Sequence, residues 1–262
     1  MVWKDCSPLS GKRKGENLRM NKKPTLTSEA EVQGFLDKLY DFCLKGIPKV
    51  SRPISEMAAD YETKYPSKEK AVKAMIKNQV LKCTTAGAVT GLGGIVTLPA
   101  AVTADVGYVL YVQMRMIACT AYMAGYDLDS DQVQSIVYAC LAGVAVNELL
   151  KKAGIEFGEK VAINLIKKIP GEVLVKINQK VGFRFITKFG QKGIVNLGKL
   201  VPGVGALISG GFDFAETKII GKRAYRWFFE DDFTIDNNSS TDDYVIDPSE
   251  IDNFFKDHDE GN

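Results

Sequence analysis

Amphipathic helical spacing begins near the start of the chain and recurs along most of its length. From Val32 to Cys43, apolar residues recur at intervals of three and four, which indicates a helix with one buried face. Ser28 and Glu31 match a capping box, in which each side chain accepts a hydrogen bond from the other residue's backbone N–H. Pro48 interrupts the pattern, because proline does not continue a helix. We therefore predict a first helix that starts just after Ser28 and ends before Pro48.

The same spacing predicts further helices downstream, each bounded by a polar cap, a glycine or a proline. They are expected over 54–65, from Ser67 through Val80, over 100–124, over 131–152, in two or three pieces within 155–199, and from after Pro202 to about 229. Strand signals are scarce, since no Asn-Gly or Asp-Gly turn joins two alternating runs. The pattern therefore predicts an all-α fold, a single compact domain of about eight helices.

Two segments depart from the amphipathic pattern because they are apolar and rich in glycine. The first, 83–104, has 22 residues without a charge, which is long enough to cross a bilayer as a helix. The second is 200–212. Small residues let backbones approach closely, which favours helix packing at the centre of the fold over contact with lipid tails. Periodicity does not separate a dry core from a segment inserted in the bilayer, so both interpretations stay open.

The motifs around these two segments resemble those of the EcsC family. After the first segment come Ala104-Asp105, then MRMI at 114–117 and GYDL at 125–128. Around the second segment stand KLVPGVG at 199–205, GGFD at 210–213 and TKIIGKRA at 217–224. The similarity extends over about residues 30–229. The family has no settled chemistry, and its bacterial namesake is encoded beside the subunits of an ABC exporter. The resemblance therefore implies a membrane neighbourhood and no particular reaction.

Charge divides the chain into a basic body and an acidic end. Apolar residues make up 45% and charged residues 25% of the chain, as in ordinary globular proteins. The net charge of +2 conceals 33 basic and 20 acidic residues in 1–229, against one lysine and 12 acidic residues in 230–262. We expect a disordered basic tail over 1–26, an EcsC-like helical domain over 27–230, and an acidic, disordered tail over 231–262. The basic body favours anionic partners such as lipid headgroups.

The cysteine pattern and the N-terminal composition favour a cytoplasmic protein. Five cysteines lie at scattered positions without a CxxC pair, which is typical of reduced thiols. The first 25 residues are basic and contain no apolar stretch of the kind found in secretory signals. His258 is the only histidine, so we expect no metal site, and we predict no cofactor. The G-x-x-x-x-G-K match at 193–199 is followed by Leu200 where a phosphate-binding loop needs Ser or Thr.

Charged residues in apolar surroundings are the candidates for a polar core or a ligand site. Asp105, Arg115 and Asp213 stand among apolar neighbours, and Thr217 and Lys218 follow on the last predicted helix. Because a buried charge is normally paired, the simplest arrangement joins Arg115 to one of the two aspartates. The alternatives are a ligand or ion site, and acid–base catalysis by the two carboxylates. Catalysis would require a solvent-accessible pocket that holds all three charged residues.

A basic stretch, 151–199, is the candidate for contact with a membrane. It carries 11 Lys/Arg and three Glu, interleaved with apolar residues. Interfacial helices place such a basic face against anionic lipids, although lysines also cover the surface of ordinary helices. Nucleic acid is disfavoured, because lysine outnumbers arginine ten to one and the aromatic residues are expected to be buried. The lysines expected at the membrane surface are Lys167, Lys168, Lys176, Lys180 and Lys188.

These patterns favour a non-enzymatic, lipid-binding helical protein that is cytoplasmic and peripherally associated with the membrane. Its expected partner is the anionic membrane surface, or a membrane protein such as a transport system. Two alternatives stay open: a hydrolase-like enzyme built on Asp105, Arg115 and Asp213, and a membrane-perturbing module that inserts its glycine-rich segments. Membrane contact calls for an apolar patch rimmed by lysines. The sequence does not indicate an oligomeric state.

Overall fold

The structure of the protein, a computed structural model, describes residues 28–48, 50–83, 104–155, 162–189 and 205–235. Within these ranges, the backbone at 104–106, 162, 189 and 205–215 is described without its side chains. The predicted basic tail, residues 84–103 of the first glycine-rich segment, and residues 200–204 of the second lie outside the described residues. So does the predicted acidic tail beyond Ile235.

The described residues form nine helices and no β-strand. The helices are α1 (Glu29–Lys45), α2 (Ile54–Lys64), α3 (Lys68–Lys82), α4 (Ala104–Met123), α5 (Asp131–Ala142), α6 (Asn147–Lys152), α7 (Ala162–Ile166), α8 (Gly171–Phe189) and α9 (Gly205–Phe229). The all-α prediction is confirmed, and this part of the chain contains one helix more than the predicted eight or so.

Serine caps open three of the helices at the predicted positions. The Ser28 hydroxyl accepts a hydrogen bond from the Glu31 backbone N–H at 3.2 Å, and the Glu31 carboxylate accepts one from the Ser28 N–H at 3.1 Å. Ser67 and Ser130 cap α3 and α5 in the same way, each accepting from the backbone N–H three residues later. These caps satisfy N–H groups that have no partner within the helix, which is why the sequence located the starts correctly.

The single helix predicted over 131–152 is wrong, because the chain breaks at Gly143. Gly143 adopts the left-handed conformation at φ 67°, and its backbone N–H donates to the carbonyls of Ala139 and Cys140. Glycine adopts this conformation without steric cost, and such a residue ends a helix. The polypeptide then resumes as the short helix α6, so one apolar pattern gives two helices.

The central helix of the body is α4. Every residue from Leu110 to Ala121 is buried, because α1, α2, α3, α5 and α9 all pack against this helix. On one side, α8 packs against α5 and α1. In the part of the chain that is described, no helix combines the length and the apolar content needed to cross a bilayer.

The glycine-rich segments lead directly into the two longest helices. The predicted start of α4 at residue 100 lies outside the described residues, and the described helix begins at Ala104, one residue before Asp105. Residues 205–212 of the second segment are already helical as the start of α9, so Asp213 lies inside that helix rather than at its cap. The placement of both segments at the centre of the fold therefore stays a prediction for most of their length.

A close approach between helices occurs at Gly221 of α9. A Cβ atom at this position would lie 2.7 Å from Cγ2 of Ile76 and 3.3 Å from Sδ of Met116. The 2.7 Å separation between two carbon atoms would require a neighbour to shift, and the 3.3 Å separation from sulfur is tighter than an ordinary contact. The absence of a side chain at Gly221 therefore allows α9 to pack against both α3 and α4.

Four of the described cysteines are buried in the body, and none of them forms a disulfide with another described cysteine. They are Cys43 in α1, Cys83 just after α3, Cys119 in α4 and Cys140 in α5. Burial raises the pKa of the Cys119 and Cys140 thiols to about 12, and the nearby arginines only partly oppose this. Burial also raises the pKa of Cys43, despite the positive charge of Arg115. These three cysteines are therefore neutral at physiological pH, as core residues.

The residues that follow α9 fold back onto it. Phe233 is buried and its ring centroid lies 5.5 Å from that of Trp227. The Trp227 indole N–H donates to the Thr234 carbonyl at 3.1 Å, and Arg226 forms an ion pair with Asp232 at 2.7 Å. The first residues of the predicted acidic tail, 231–235, thus belong to the packed body.

Candidate functional site

Arg115 lies at the centre of a buried polar cluster. Its side chain is only 4% exposed, and its neighbours in the chain, Met114 and Met116, are both buried. Nη1 donates to the Cys43 carbonyl at 3.0 Å, and Nη2 donates to the Arg52 carbonyl. The Cys43 carbonyl belongs to the last turn of α1, where the helix itself provides no N–H partner. The N–H of Ile47, which would donate to this carbonyl if the helix continued, donates to Ser51 instead. The Arg115 guanidinium therefore serves as the donor to the Cys43 carbonyl.

A tyrosine and a serine complete this cluster. The Tyr111 hydroxyl lies 3.5 Å from Nη1 of Arg115 and 2.5 Å from Oγ of Ser51. Burial raises the pKa of Tyr111, and the hydrogen bonds from Ser51 and Arg115 oppose the rise only partly. The tyrosine is therefore neutral. Together these contacts fasten α4 to the end of α1 and to the loop before α2.

The predicted ion pair of Arg115 with an aspartate stays a prediction. The side chains of Asp105 and Asp213 lie outside the described residues. Among the described residues, Arg115 donates to two carbonyl oxygens and a hydroxyl oxygen. Sequence reasoning did not find these acceptors, because any residue supplies a backbone carbonyl.

Thr217 lies in a second polar contact, between α4 and α9. Its hydroxyl accepts a hydrogen bond from Nε2 of Gln113 at 2.9 Å, and both residues are buried. Lys218, the next residue, is partly exposed. The contact positions two helices, since a buried amide and a buried hydroxyl satisfy each other.

Two arginines bind the end of α5. Arg223 donates to the Cys140 carbonyl at 2.7 Å, and Arg184 donates to the carbonyls of Ala142 and Gly143 at 3.0 and 2.6 Å. Cations at a helix C-terminus interact favourably with its carbonyl oxygens and dipole. Burial lowers the pKa of Arg223. Both arginines therefore act as structural caps that join α8 and α9 to α5.

A cleft of about 670 Å³ opens between α2, α3 and α4. Arg115 contributes to its lining, and so do Arg52 from the loop before α2, Lys64 from α2 and Lys82 from the end of α3. Asp60 is the one acidic residue among the lining residues. Their polar and apolar neighbours in the lining are Val50, Ser51, Met57, Tyr61, Tyr65, Asn78 and Gln79. The cleft was not predicted, because its cations come from four separate elements, and Arg52, Lys64 and Lys82 each resemble an ordinary surface residue in the sequence.

The predicted basic face is present on α8 and in the turn before it. Lys167, Lys168, Lys176, Lys180 and Lys188 are all exposed. Four of the apolar residues of α8 form the opposite, buried face, namely Val173, Leu174, Ile177 and Val181. Lys188 forms an ion pair with Glu216 of α9, so its charge is compensated. The other four lysines form no ion pair with a described carboxylate.

The prediction that the aromatic residues of this region are buried is wrong for Phe183. Its side chain is 64% exposed, whereas Phe185, two residues later, is buried. Residues two apart on a helix point in nearly opposite directions, so a single buried face cannot hold both. Val175 is 56% exposed on the same outward side, eight residues before Phe183. Helical spacing applied residue by residue would have found this pair.

The helical body as a whole is similar to a known protein family. A model of the EcsC protein family matches residues 28–228. The chain belongs to the EcsC protein family. No curated protein and no solved structure matches it. The EcsC match begins at the cap of α1 and ends in the last turn of α9, so both the cleft and the basic face of α8 lie within the family domain.

Proposed function

We propose that this EcsC protein binds the surface of anionic membranes through α8 and the turn before it. The observation that carries the proposal is the exposed phenylalanine beside lysines on the outward side of α8. Phe183 follows Lys180 by three residues and Lys176 by seven, so the three side chains share one side of the helix. An aromatic residue with flanking lysines is the arrangement that interfacial helices present to lipid headgroups.

The charges on this surface support a weak, reversible attachment. Each basic residue near an anionic leaflet contributes about 1 kcal/mol, and the attraction decays within a Debye length of about 8 Å at physiological salt. Lys167, Lys168, Lys176 and Lys180 provide the cations, while Glu172 in the first turn of α8 opposes them. Burying the Phe183 ring adds up to about 3 kcal/mol. Together these terms are sufficient for peripheral binding that responds to salt.

The test is co-sedimentation with vesicles of phosphatidylcholine, with and without phosphatidylserine. We expect binding only to the anionic vesicles, and loss of that binding as salt is added. Lys176→Gln with Lys180→Gln should weaken it, and Phe183→Ala should weaken it further. The matched control changes Lys70 and Lys77 of α3, two exposed lysines on another helix, to Gln and should bind like the unmodified protein.

Two outcomes would contradict the proposal. Equal binding to neutral and anionic vesicles would mean that charge does not drive attachment, and insertion of the glycine-rich segments would become the better explanation. Equal weakening by the α3 control variant would mean that the total charge matters rather than the face of α8.

A further inference from the structure

The cleft between α2, α3 and α4 has the size of a ligand site. Its volume of about 670 Å³ falls within the range of roughly 300–1,000 Å³ that small-molecule pockets occupy. Arg115 forms part of the lining while holding the carbonyls of Cys43 and Arg52, so it is fixed before any ligand arrives. Arg115 donates three of its five N–H groups to described acceptors, and these hydrogen bonds hold the planar guanidinium in one orientation. Arginine binds anions through the fork of donors that such a fixed guanidinium presents.

The lining carries an excess of positive charge. Arg52, Lys64, Lys82 and Arg115 face the cleft together with the single carboxylate of Asp60, which leaves a net charge of +3. The Asp60 carboxylate interacts with two of these cations, because Arg52 forms an ion pair with it and Nζ of Lys64 lies 3.9 Å from its Oδ2. A concave surface with charge of one sign concentrates counter-ions, because its walls focus the electric field.

The cations of the cleft also act on each other. Burial lowers the pKa of Lys82, and the positive charges of Arg115 and Arg52 lower it further. The charged form of Lys82 is thus disfavoured in this environment, and an anion between the three cations would relieve that repulsion. Neutral hydrogen-bonding groups stand nearby, since Asn78 donates to the Tyr61 hydroxyl at 2.8 Å at the same cleft.

We infer that this cleft binds a small ligand through a phosphate group. A phosphate monoester carries a charge of about −1.5 to −2 at neutral pH and three strong acceptor oxygens, which suits several cations at once better than a single carboxylate does. The phosphate would come either from a free phosphorylated metabolite or from the phosphorylated headgroup of a lipid. The inference does not rest on the proposed function, because the cleft is formed by helices other than α8.

The first experiment measures thermal stability and calorimetric binding with inorganic phosphate and with inorganic pyrophosphate. Sodium chloride at matched ionic strength is the reference. We expect both phosphates to raise the melting temperature beyond the chloride reference, because a ligand that binds only the folded state stabilises it. Lys64→Gln with Lys82→Gln should weaken pyrophosphate binding about tenfold, as expected for the loss of two cations from an anion site.

Three control variants make this result specific. Lys70→Gln with Lys77→Gln removes two exposed lysines of α3 outside the cleft lining and should leave binding unchanged. Lys82→Arg preserves the charge and should retain most of the affinity. The α8 variant with Lys176→Gln and Lys180→Gln should still bind pyrophosphate, so failure of the membrane proposal and failure of this inference are distinguishable.

A comparison of two kinds of vesicle distinguishes a lipid headgroup from a free metabolite as the source of the phosphate. Vesicles that contain phosphatidylinositol 4-phosphate are compared with phosphatidylserine vesicles, using the α8 variant so that the basic face contributes little. Preference for the phosphoinositide vesicles, abolished by Lys64→Gln with Lys82→Gln, would support a lipid headgroup. Pyrophosphate binding without that preference would support a free metabolite. The inference is overturned if neither phosphate exceeds chloride and no phosphoinositide preference is seen, or if the α3 control variant loses as much binding as the cleft variant.

Discussion

Replacement of Arg115 by methionine should destabilise the whole body of the protein. The change removes the guanidinium but preserves an unbranched, apolar side chain at a position that is 4% exposed. The carbonyls of Cys43 and Arg52 then lose their hydrogen-bond donor. The Cys43 carbonyl lies in the last turn of α1, where no helical N–H replaces it. The variant therefore removes the hydrogen bonds by which Arg115 fastens α4 to the end of α1 and to the loop before α2.

The expected magnitude follows from the two hydrogen bonds. A hydrogen bond to a charged group contributes about 1.5–3 kcal/mol, so the two together contribute about 3–6 kcal/mol. Methionine carries no charge, so the desolvation cost of the buried cation disappears and offsets part of this loss. We therefore expect a decrease of about 3 kcal/mol in the free energy of unfolding. In a chain of this length, that corresponds to a fall in melting temperature of about 6–12 °C.

Urea denaturation followed by circular dichroism measures this decrease directly. Arg115→Lys is the informative comparison, because a single ammonium group preserves the charge but lacks the planar fork that reaches two carbonyls. It should recover only part of the lost stability. A loss below about 1 kcal/mol in Arg115→Met would refute the reasoning, because water would then be satisfying both carbonyls. In that case, Arg115 would serve the cleft rather than the fold.

Three further predictions concern helix packing and the segment after α9. Gly221→Ala should lower the melting temperature, at a cost of about 1–3 kcal/mol from overpacking. Gly34→Ala, with open space around its Cβ, should be neutral or stabilising, and equal effects of the two changes would contradict the close contact at Gly221. Phe233→Ala should expose Trp227 and shift its fluorescence to longer wavelength, whereas an unchanged spectrum would mean that the segment does not cover the indole. Burial alone would raise the pKa of Asp232, but its hydrogen bonds lower it below the ordinary value. Its contribution to stability is therefore present above the unfolded pKa and is lost as the pH falls through the folded one, and Asp232→Asn should remove this dependence.

The starts of the helices were predictable because the signals that set them are local. Ser28 and Ser130 each cap a helix through a backbone N–H three residues away, so a short stretch of sequence contains the whole interaction. The break at Gly143 was not predictable in the same way. The apolar spacing continues across it, and the carbonyls that it exposes are bound by Arg184 and Arg223 from distant helices.

For the candidate sites too, features set by neighbouring residues were predictable, and features set by residues far apart in the chain were not. The lysines of α8 were predicted as exposed from a single amphipathic pattern, and they are exposed. The cleft escaped prediction because Arg52 and Lys82 stand 30 positions apart and meet only after α2 and α3 have packed against α4. Arg115 was predicted to be a buried charge. Two of its acceptors are backbone carbonyl oxygens, which every residue has, so no residue type in the sequence indicates them.

Three of the buried thiols, those of Cys43, Cys119 and Cys140, can report on local opening of the helices that contain them. An alkylating reagent reacts with the thiolate, and burial disfavours that form in α1, α4 and α5. Each of these three cysteines is therefore modified only when the helix around it opens, and the rate of modification measures the free energy of that local opening. With Cys6 replaced by serine, one reagent and one mass spectrometer would follow the opening of separate helices in the same sample, with and without vesicles or phosphate.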